Sequence, residues 1–172
     1  MWWPDMSRRV ARTLALIVLP LLSAGCGFHL RSPQPLPFAT LYVAAPETSE
    51  FAIQLKRQLR TLGSTRIVDR APEAEATLSL ISEAREKIIL SVNAQGLVRE
   101  FRLGQRVTLR LTDAKGNELM PAIPLQVTRD ISFNDSQVLA KDQEEQLLFR
   151  DMQNDLIQQA LRRLAAVRSG AR

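Results

Sequence analysis

A two-residue alternation running from Leu97 to Thr112 decides most of what this chain can become. Odd positions supply Leu97, Phe101, Leu103, Val107, Leu109 and Leu111, and even positions supply Glu100, Arg102, Arg106, Thr108, Arg110 and Thr112. Side chains along a strand point alternately to opposite faces, so one face of this strand is dry and the other is wet and basic. Flanking segments obey the same rule. Ala76 to Leu80 and Lys87 to Val92 set Leu78, Leu80, Ile88, Leu90 and Val92 on one face. The polar stretch Ser82 to Glu86 between them is either a bulge or the solvated middle of one long strand. Asn93-Ala-Gln-Gly96 and Asp113-Ala-Lys-Gly-Asn117 read as hairpin turns. After the second turn, Ile123, Leu125, Val127, Ile131 and Phe133 alternate with Gln126, Thr128, Asp130 and Ser132.

The period changes at both ends of this block. Thr40 to Ala45 is a short strand closed by Pro46, and Glu47 to Leu62 is a helix with Phe51, Leu55, Leu59 and Leu62 on one stripe and Gly63 at its stop. Asp142 to Val167 is a longer helix with Leu148, Met152, Leu156 and Ala160 spaced by four. Its acids lie early and its arginines late, as the helix dipole favours. The expected fold is α+β: a two-layer sandwich of a four-stranded mixed sheet with both helices packed on one face. The other face is open, and it is the place to look for function.

The N-terminus is an address. Arg8, Arg9 and Arg12 precede the apolar run Thr13 to Leu22, which Pro20 interrupts. Ten residues rise about 15 Å, half of a hydrocarbon core of about 30 Å, which disfavours a membrane span and fits a secretory signal. Leu22-Ser-Ala-Gly-Cys26 resembles a bacterial lipobox. That resemblance implies removal of residues 1–25, S-diacylglycerol and N-acyl groups on Cys26, and, with Gly27 next, delivery to the outer membrane. Three acyl chains hold a domain lastingly where one would not. A free or buried thiol is the other reading of Cys26. Removing the signal takes three arginines and one aspartate, lowering the formal charge from +5 to +3. Residues 26–39, with Pro33, Pro35 and Pro37, are expected to form a stiff linker, 40–168 the domain and 169–172 a tail.

One Cys and one His exclude an intramolecular disulfide, a Cys-rich zinc site and multi-His metal ligation. No nucleophile elbow, phosphate-binding glycine loop or zinc-protease helix occurs, and the single His29 lies three residues from the proposed anchor. No enzyme activity, metal or cofactor is expected. Arg102, Arg106 and Arg110, with Arg99 and Lys87 in the same hairpin, form a cationic strip. It is open to two readings, a strand protected by charge or a face for phosphorylated ligands. Nucleic acid is excluded as a partner by the secretory address and by the lack of stacking aromatics on this face; an anionic lipid suits the compartment.

Cys26-Gly-Phe-His-Leu-Arg31 and Leu139-Ala-Lys-Asp-Gln-Glu-Glu-Gln146, the latter leading into Leu161-Arg-Arg-Leu164, resemble the LptE family of lipopolysaccharide-assembly lipoproteins. The resemblance covers residues 26 to 172. It implies a non-enzymatic outer-membrane lipoprotein that sits as a plug in the lumen of the LptD barrel and assists its assembly. It further implies that the protein binds lipopolysaccharide and helps deliver it to the outer leaflet. By the same resemblance Lys141 carries a lipopolysaccharide-binding role. The family's second basic position falls in the turn Asn93 to Gly96, which has no cation here, and Arg99 stands in just beyond it. Arg102, Arg106 and Arg110 then form a barrel or anion contact face. The alternative is an independent periplasmic-facing lipoprotein, adaptor or enzyme, on the same fold.

Overall fold

Ser49 starts the first helix. Its side-chain oxygen accepts from the Ala52 amide at 3.0 Å, and the helix α1, Glu50–Leu62, ends at Gly63 with φ 66°. The computed structural model describes residues 35–133 and 138–167. Around α1 lie strands β1, Thr40–Ala44, and β2, Arg66–Val68, followed by a 3-10 turn at Ala71–Glu73. Three long strands then run consecutively: β3, Ala76–Val92; β4, Val98–Asp113; and β5, Glu118–Ser132. The second helix, α2, spans Val138–Ala166 and so begins four residues before the sequence pattern places it.

The sheet has five strands in the order β2-β1-β3-β4-β5, which corrects the expectation of four. The additional strand, β2, pairs in parallel with β1 from Thr40↔Arg66 to Tyr42↔Val68. Three residues are too short to display an alternation, and only the parallel crossover through α1 makes them a strand. The β1/β3 pairing is also parallel, whereas β3/β4 and β4/β5 are antiparallel, so the sheet is mixed. Both expected turns close the long hairpins. Asn93 Oδ1 accepts from the Gln95 and Leu97 amides, and Asp113 Oδ1 accepts from the Lys115 and Asn117 amides. Each turn then needs a residue at positive φ, supplied by Gly96 and Gly116.

One core lies between the sheet and the two helices. Phe51, Leu55 and Leu59 of α1 and Met152, Leu156, Ile157 and Leu164 of α2 meet Leu41, Leu78, Leu103, Leu109 and Leu111, all essentially free of solvent. Each such side chain contributes about 1.5–3 kcal/mol by leaving water. Packing reaches back past β1: Leu36 and Phe38, within the stretch expected to be linker, are buried in this core.

A bulge at Ile81 governs what β3 presents. Leu80 pairs with Leu109 and Ser82 with Thr108, leaving Ile81 as an extra residue that reverses the alternation. Ala76, Leu78 and Leu80 face the helices before it; Glu83, Arg85 and Lys87 face them after it, opposite Val107, Gln105 and Leu103. Ile88 therefore falls on the open face opposite Arg102, and Ile88, Leu90 and Val92 are exposed, contrary to the single apolar face read from the sequence. Leu97 is exposed as well. The polar stretch Ser82 to Glu86 is thus the middle of one long strand, entered through the bulge at Ile81.

The charges turned inward by the bulge are matched by the helices. The Ser49 hydroxyl donates to Glu83 at 2.6 Å, Arg85 Nη2 donates to Glu50 at 2.7 Å and to Gln153 at 2.9 Å, and Lys87 reaches Glu145 at 2.5 Å. Deeper in, Gln105 is fully buried and, among the described residues, neither its amide oxygen nor its nitrogen has a partner, nor does Gln153 Nε2.

Candidate functional site

The open face of β3, β4 and β5 is polar, and its groups are already joined across the strands. Arg102 holds Asp130 with both arms, Nε to Oδ1 at 2.8 Å and Nη2 to Oδ2 at 2.9 Å. This paired hydrogen bond raises the Arg102 pKa and holds the Asp130 carboxyl below the ordinary aspartate range. Arg106 donates from Nε and Nη2 to Gln126 Oε1 at 3.3 and 3.1 Å, and Ser82 donates to Thr108 at 2.9 Å. Arg110, opposite Ser79, has no side-chain partner among the described residues and is exposed.

Between the rows of Arg102 and Arg106 lies Gly104, opposite Glu86. A Cβ at Gly104 would stand 2.5 Å from Glu86 Cγ and 2.6 Å from Oε1, so the Glu86 side chain lies over the bare backbone of its neighbour. The strip expected to be cationic is therefore interleaved with carboxylates, Asp130 beside Arg102 and Glu86 between the arginine rows. Lys87 does not belong to it, because the Ile81 bulge turns that residue to the helix side. Such a face suits a polar protein wall better than a free phosphate, since its guanidinium groups are largely engaged.

A second cluster forms where β5 ends and α2 begins. Lys141, on the first turns of α2, reaches Glu144 at 2.8 Å and Ser132 Oγ at 3.4 Å, with only 16% of its side chain exposed. The neighbouring Phe133 amide donates to the Arg99 carbonyl at 2.7 Å. Ser132 and Phe133 thereby bring Lys141 and Arg99 to one end of the sheet, as the two positions require if they act together. Arg99 is itself an extra residue in the register, for Ser91 pairs with Glu100 and Val92 with Val98.

Two features of this end were not singled out by sequence reasoning. Phe101 and Phe133 meet edge to face at 5.5 Å between ring centroids, and Lys87 Nζ stands 4.3 Å over the Phe101 ring. The alternation puts Phe101 and Phe133 on the dry face, but nothing in spacing alone pairs them or draws Lys87 to them. Around this end, Ile89, Leu90, Val92 and Leu97 are exposed. Cations beside exposed apolar side chains make the region chemically amphiphilic.

Among the described residues no group of His, Cys, Asp or Glu is placed to hold a metal, and no helix is long and apolar enough to cross a membrane. Cys26, the signal segment and His29 lie outside the described residues.

Comparison with known proteins converges on one family. The family model LptE, described as lipopolysaccharide-assembly, matches residues 38–164. Among curated proteins, the LPS-assembly lipoprotein LptE of Pectobacterium atrosepticum is 29% identical over 164 residues, covering 90% of this chain and 85% of that protein. The protein of the same name from Yersinia pestis is 30% identical over 160 residues, covering 90% and 75% respectively. Among solved structures, uncharacterized lipoprotein B from Nitrosomonas europaea is 40% identical with a TM-score of 0.72, covering 81% of this chain and 91% of that one. Rare lipoprotein B from Shewanella oneidensis is 25% identical with a TM-score of 0.63, covering 74% and 94%.

Proposed function

The chain belongs to the LptE family, whose members act in lipopolysaccharide assembly without being enzymes, and from that premise we propose that it is the plug of an LptD-type outer-membrane barrel. In this reading Cys26 carries the lipid anchor, the domain fills the barrel lumen from the periplasmic side, and the protein assists assembly of the barrel around it. The observation that carries the reading is the open sheet face. Arg102–Asp130, Arg106–Gln126 and Ser82–Thr108 form a polar surface whose groups are bonded before any partner arrives. A barrel lumen is polar, and a face of this kind docks on it with only Arg110 and Glu86 left for the wall to match.

Lipopolysaccharide binds, in the same reading, at the end of the sheet that carries Arg99 and Lys141. Its phosphates replace the Glu144 carboxylate on Lys141, so that one charge-assisted contact of the largely covered ammonium is exchanged for another. Its acyl chains meet the exposed apolar side chains of the β3–β4 hairpin. The test is affinity purification of the lipidated chain from outer membranes kept intact until solubilisation. A large LptD-type barrel should co-purify, and depletion of the chain should lower surface lipopolysaccharide. Recovery of the chain alone, with surface lipopolysaccharide unchanged on depletion, would favour an independent periplasmic-facing lipoprotein instead.

A further inference from the structure

β1 covers the edge of β3 only from Ala76 to Ser79. From Leu80 to Val92 that edge has no strand neighbour among the described residues, and nearly all of it is exposed. Between the irregularities at Ile81 and Leu90, Ser82 to Ile89 keeps unbroken register with β4, residue for residue against Thr108 to Phe101. It is a regular strand with one side of its main chain unused.

The other edges are guarded. β5 carries Pro121 and Pro124, which have no amide to offer, and β2 is three residues long. The free part of β3 has no proline and exposes Ile81, Ile88 and Ile89 at 50, 48 and 55%. A cavity of about 480 Å³ opens at its start, between the Pro46 to Glu50 turn and Leu80 to Arg85. Proteins ordinarily blunt an edge of this kind with proline or with free charges. Here there is no proline, and of the four charged residues Glu83, Arg85 and Lys87 are drawn to Ser49, Glu50 and Glu145 on the helix side, which leaves the main chain of the edge open to a partner.

We infer that this edge receives an extended segment of the barrel partner, which adds to the sheet as a strand beside Ser82 to Ile89. The inference rests on the plug reading above. A row of unused amides and carbonyls is matched by another main chain, whereas an acyl chain laid on it would bury those groups unpaired. Charge describes the incoming segment further. The cations of the edge are engaged within the chain, Arg85 by Glu50 and Lys87 by Glu145, while Glu86 has no cation within ion-pair distance among the described residues. The partner strand therefore presents Lys or Arg across from Glu86 and an apolar residue across from Ile88. A second copy of the chain fits poorly. The two-fold antiparallel register centred on Glu86 sets Glu86 against Glu86 and Arg85 against Lys87; the one centred on Arg85 sets Arg85 against Arg85, and the Glu83–Lys87 pairs it would offer in return are already engaged by Ser49 and Glu145.

The experiment uses the full lipidated chain co-expressed with its barrel partner. A photo-crosslinking residue is placed at Ile88, on the edge, or at Arg110, on the open face. Amide hydrogen exchange of Ser82 to Ile89 is compared between the free chain and the complex. Crosslinks to the barrel from both positions, with exchange slowed at least tenfold across the segment, are expected. Crosslinking from Arg110 but not Ile88, with exchange unchanged, overturns strand addition and leaves the plug standing. Crosslinking to the barrel from neither position overturns both. A crosslinked product of twice this chain's mass from Ile88 overturns the assignment of the edge to the barrel.

Discussion

Glu86 lies over Gly104, its Cγ where a Cβ of that glycine would be crowded to 2.5 Å, and this contact separates the Arg102 and Arg106 rows of the open face. Gly104→Ala should therefore push the Glu86 side chain off the sheet. Alanine alone gains about 0.4–1 kcal/mol by narrowing the unfolded ensemble, since the backbone here has no positive φ to forbid it. With Glu86 present the clash should cancel or reverse that gain; with Glu86→Ala in the same chain the gain should appear. Urea denaturation of the two single variants and the double variant measures the coupling. Purely additive effects would mean that the contact carries no energy.

Ser49 serves two partners, the Ala52 amide at the start of α1 and the Glu83 carboxylate on β3. Ser49→Ala should cost about 1–2 kcal/mol, combining a lost cap with a carboxylate deprived of a donor. Ser49→Asp should keep the cap yet place two carboxylates together, so it should be less stable than Ser49→Asn. Thermal midpoints of the three variants rank these effects.

Gln105 buries an amide with no partner on either atom among the described residues, between Leu103 and Val107 on β4 and opposite Arg85 on β3. Gln105→Leu should raise stability by about 1 kcal/mol, because leaving such a group unpaired costs about 1–3 kcal/mol. Equilibrium unfolding in urea reads this directly. A fall in stability would indicate that an ordered water completes the amide's bonds.

Asp130 titrates below its ordinary value because Arg102 bonds its charged form. A carboxyl depressed in the folded state adds stability above its unfolded pKa, and that increment is lost as pH falls through the folded value. Stability should therefore drop below about pH 4, and Asp130→Asn should flatten part of the drop. Asp113, also depressed, chiefly by the hydrogen bond from Asn117, supplies a further share that Asp130→Asn leaves in place. Denaturant midpoints measured from pH 2 to 7 test the sign.

Arg99→Asp with Lys141→Asp should weaken binding of purified lipopolysaccharide at least tenfold while the barrel still co-purifies. Both residues sit at the end of the sheet beyond Arg102, whose guanidinium is held by Asp130, which is why the two properties should separate. Undiminished lipopolysaccharide retention by the folded double variant would remove both residues from the proposed site.

Much of this architecture can be read before any coordinates. The alternation around Arg102 to Leu111 specifies β4 and its two faces, the Asn93 and Asp113 turns specify the hairpins, and the Phe51, Leu55, Leu59 stripe specifies α1. What escapes is set by relations between segments. β2 exists only as the parallel partner of β1, and three residues carry no period. The face of Ile88 depends on where the ladder slips, which Leu80, Ile81 and Ser82 do not announce. The arginines of the open face are legible as residues, but their engagement by Asp130 and Gln126 follows from the β4/β5 register. That Arg99 and Lys141, 42 positions apart in sequence, share one end of the sheet follows only from Phe133 bonding to Arg99 and Ser132 to Lys141.

The extra residue at Ile81 divides one strand into two districts with separate obligations. Upstream of it, even-numbered side chains answer to the hydrophobic interior; downstream, even-numbered side chains answer to whatever surrounds the molecule. Changes at Ala84, Glu86 or Ile88 can thus retune the fit to a partner while Leu78 and Leu80 continue to hold the interior. A lineage carrying this kink is free to follow a changing partner without rebuilding its own foundations.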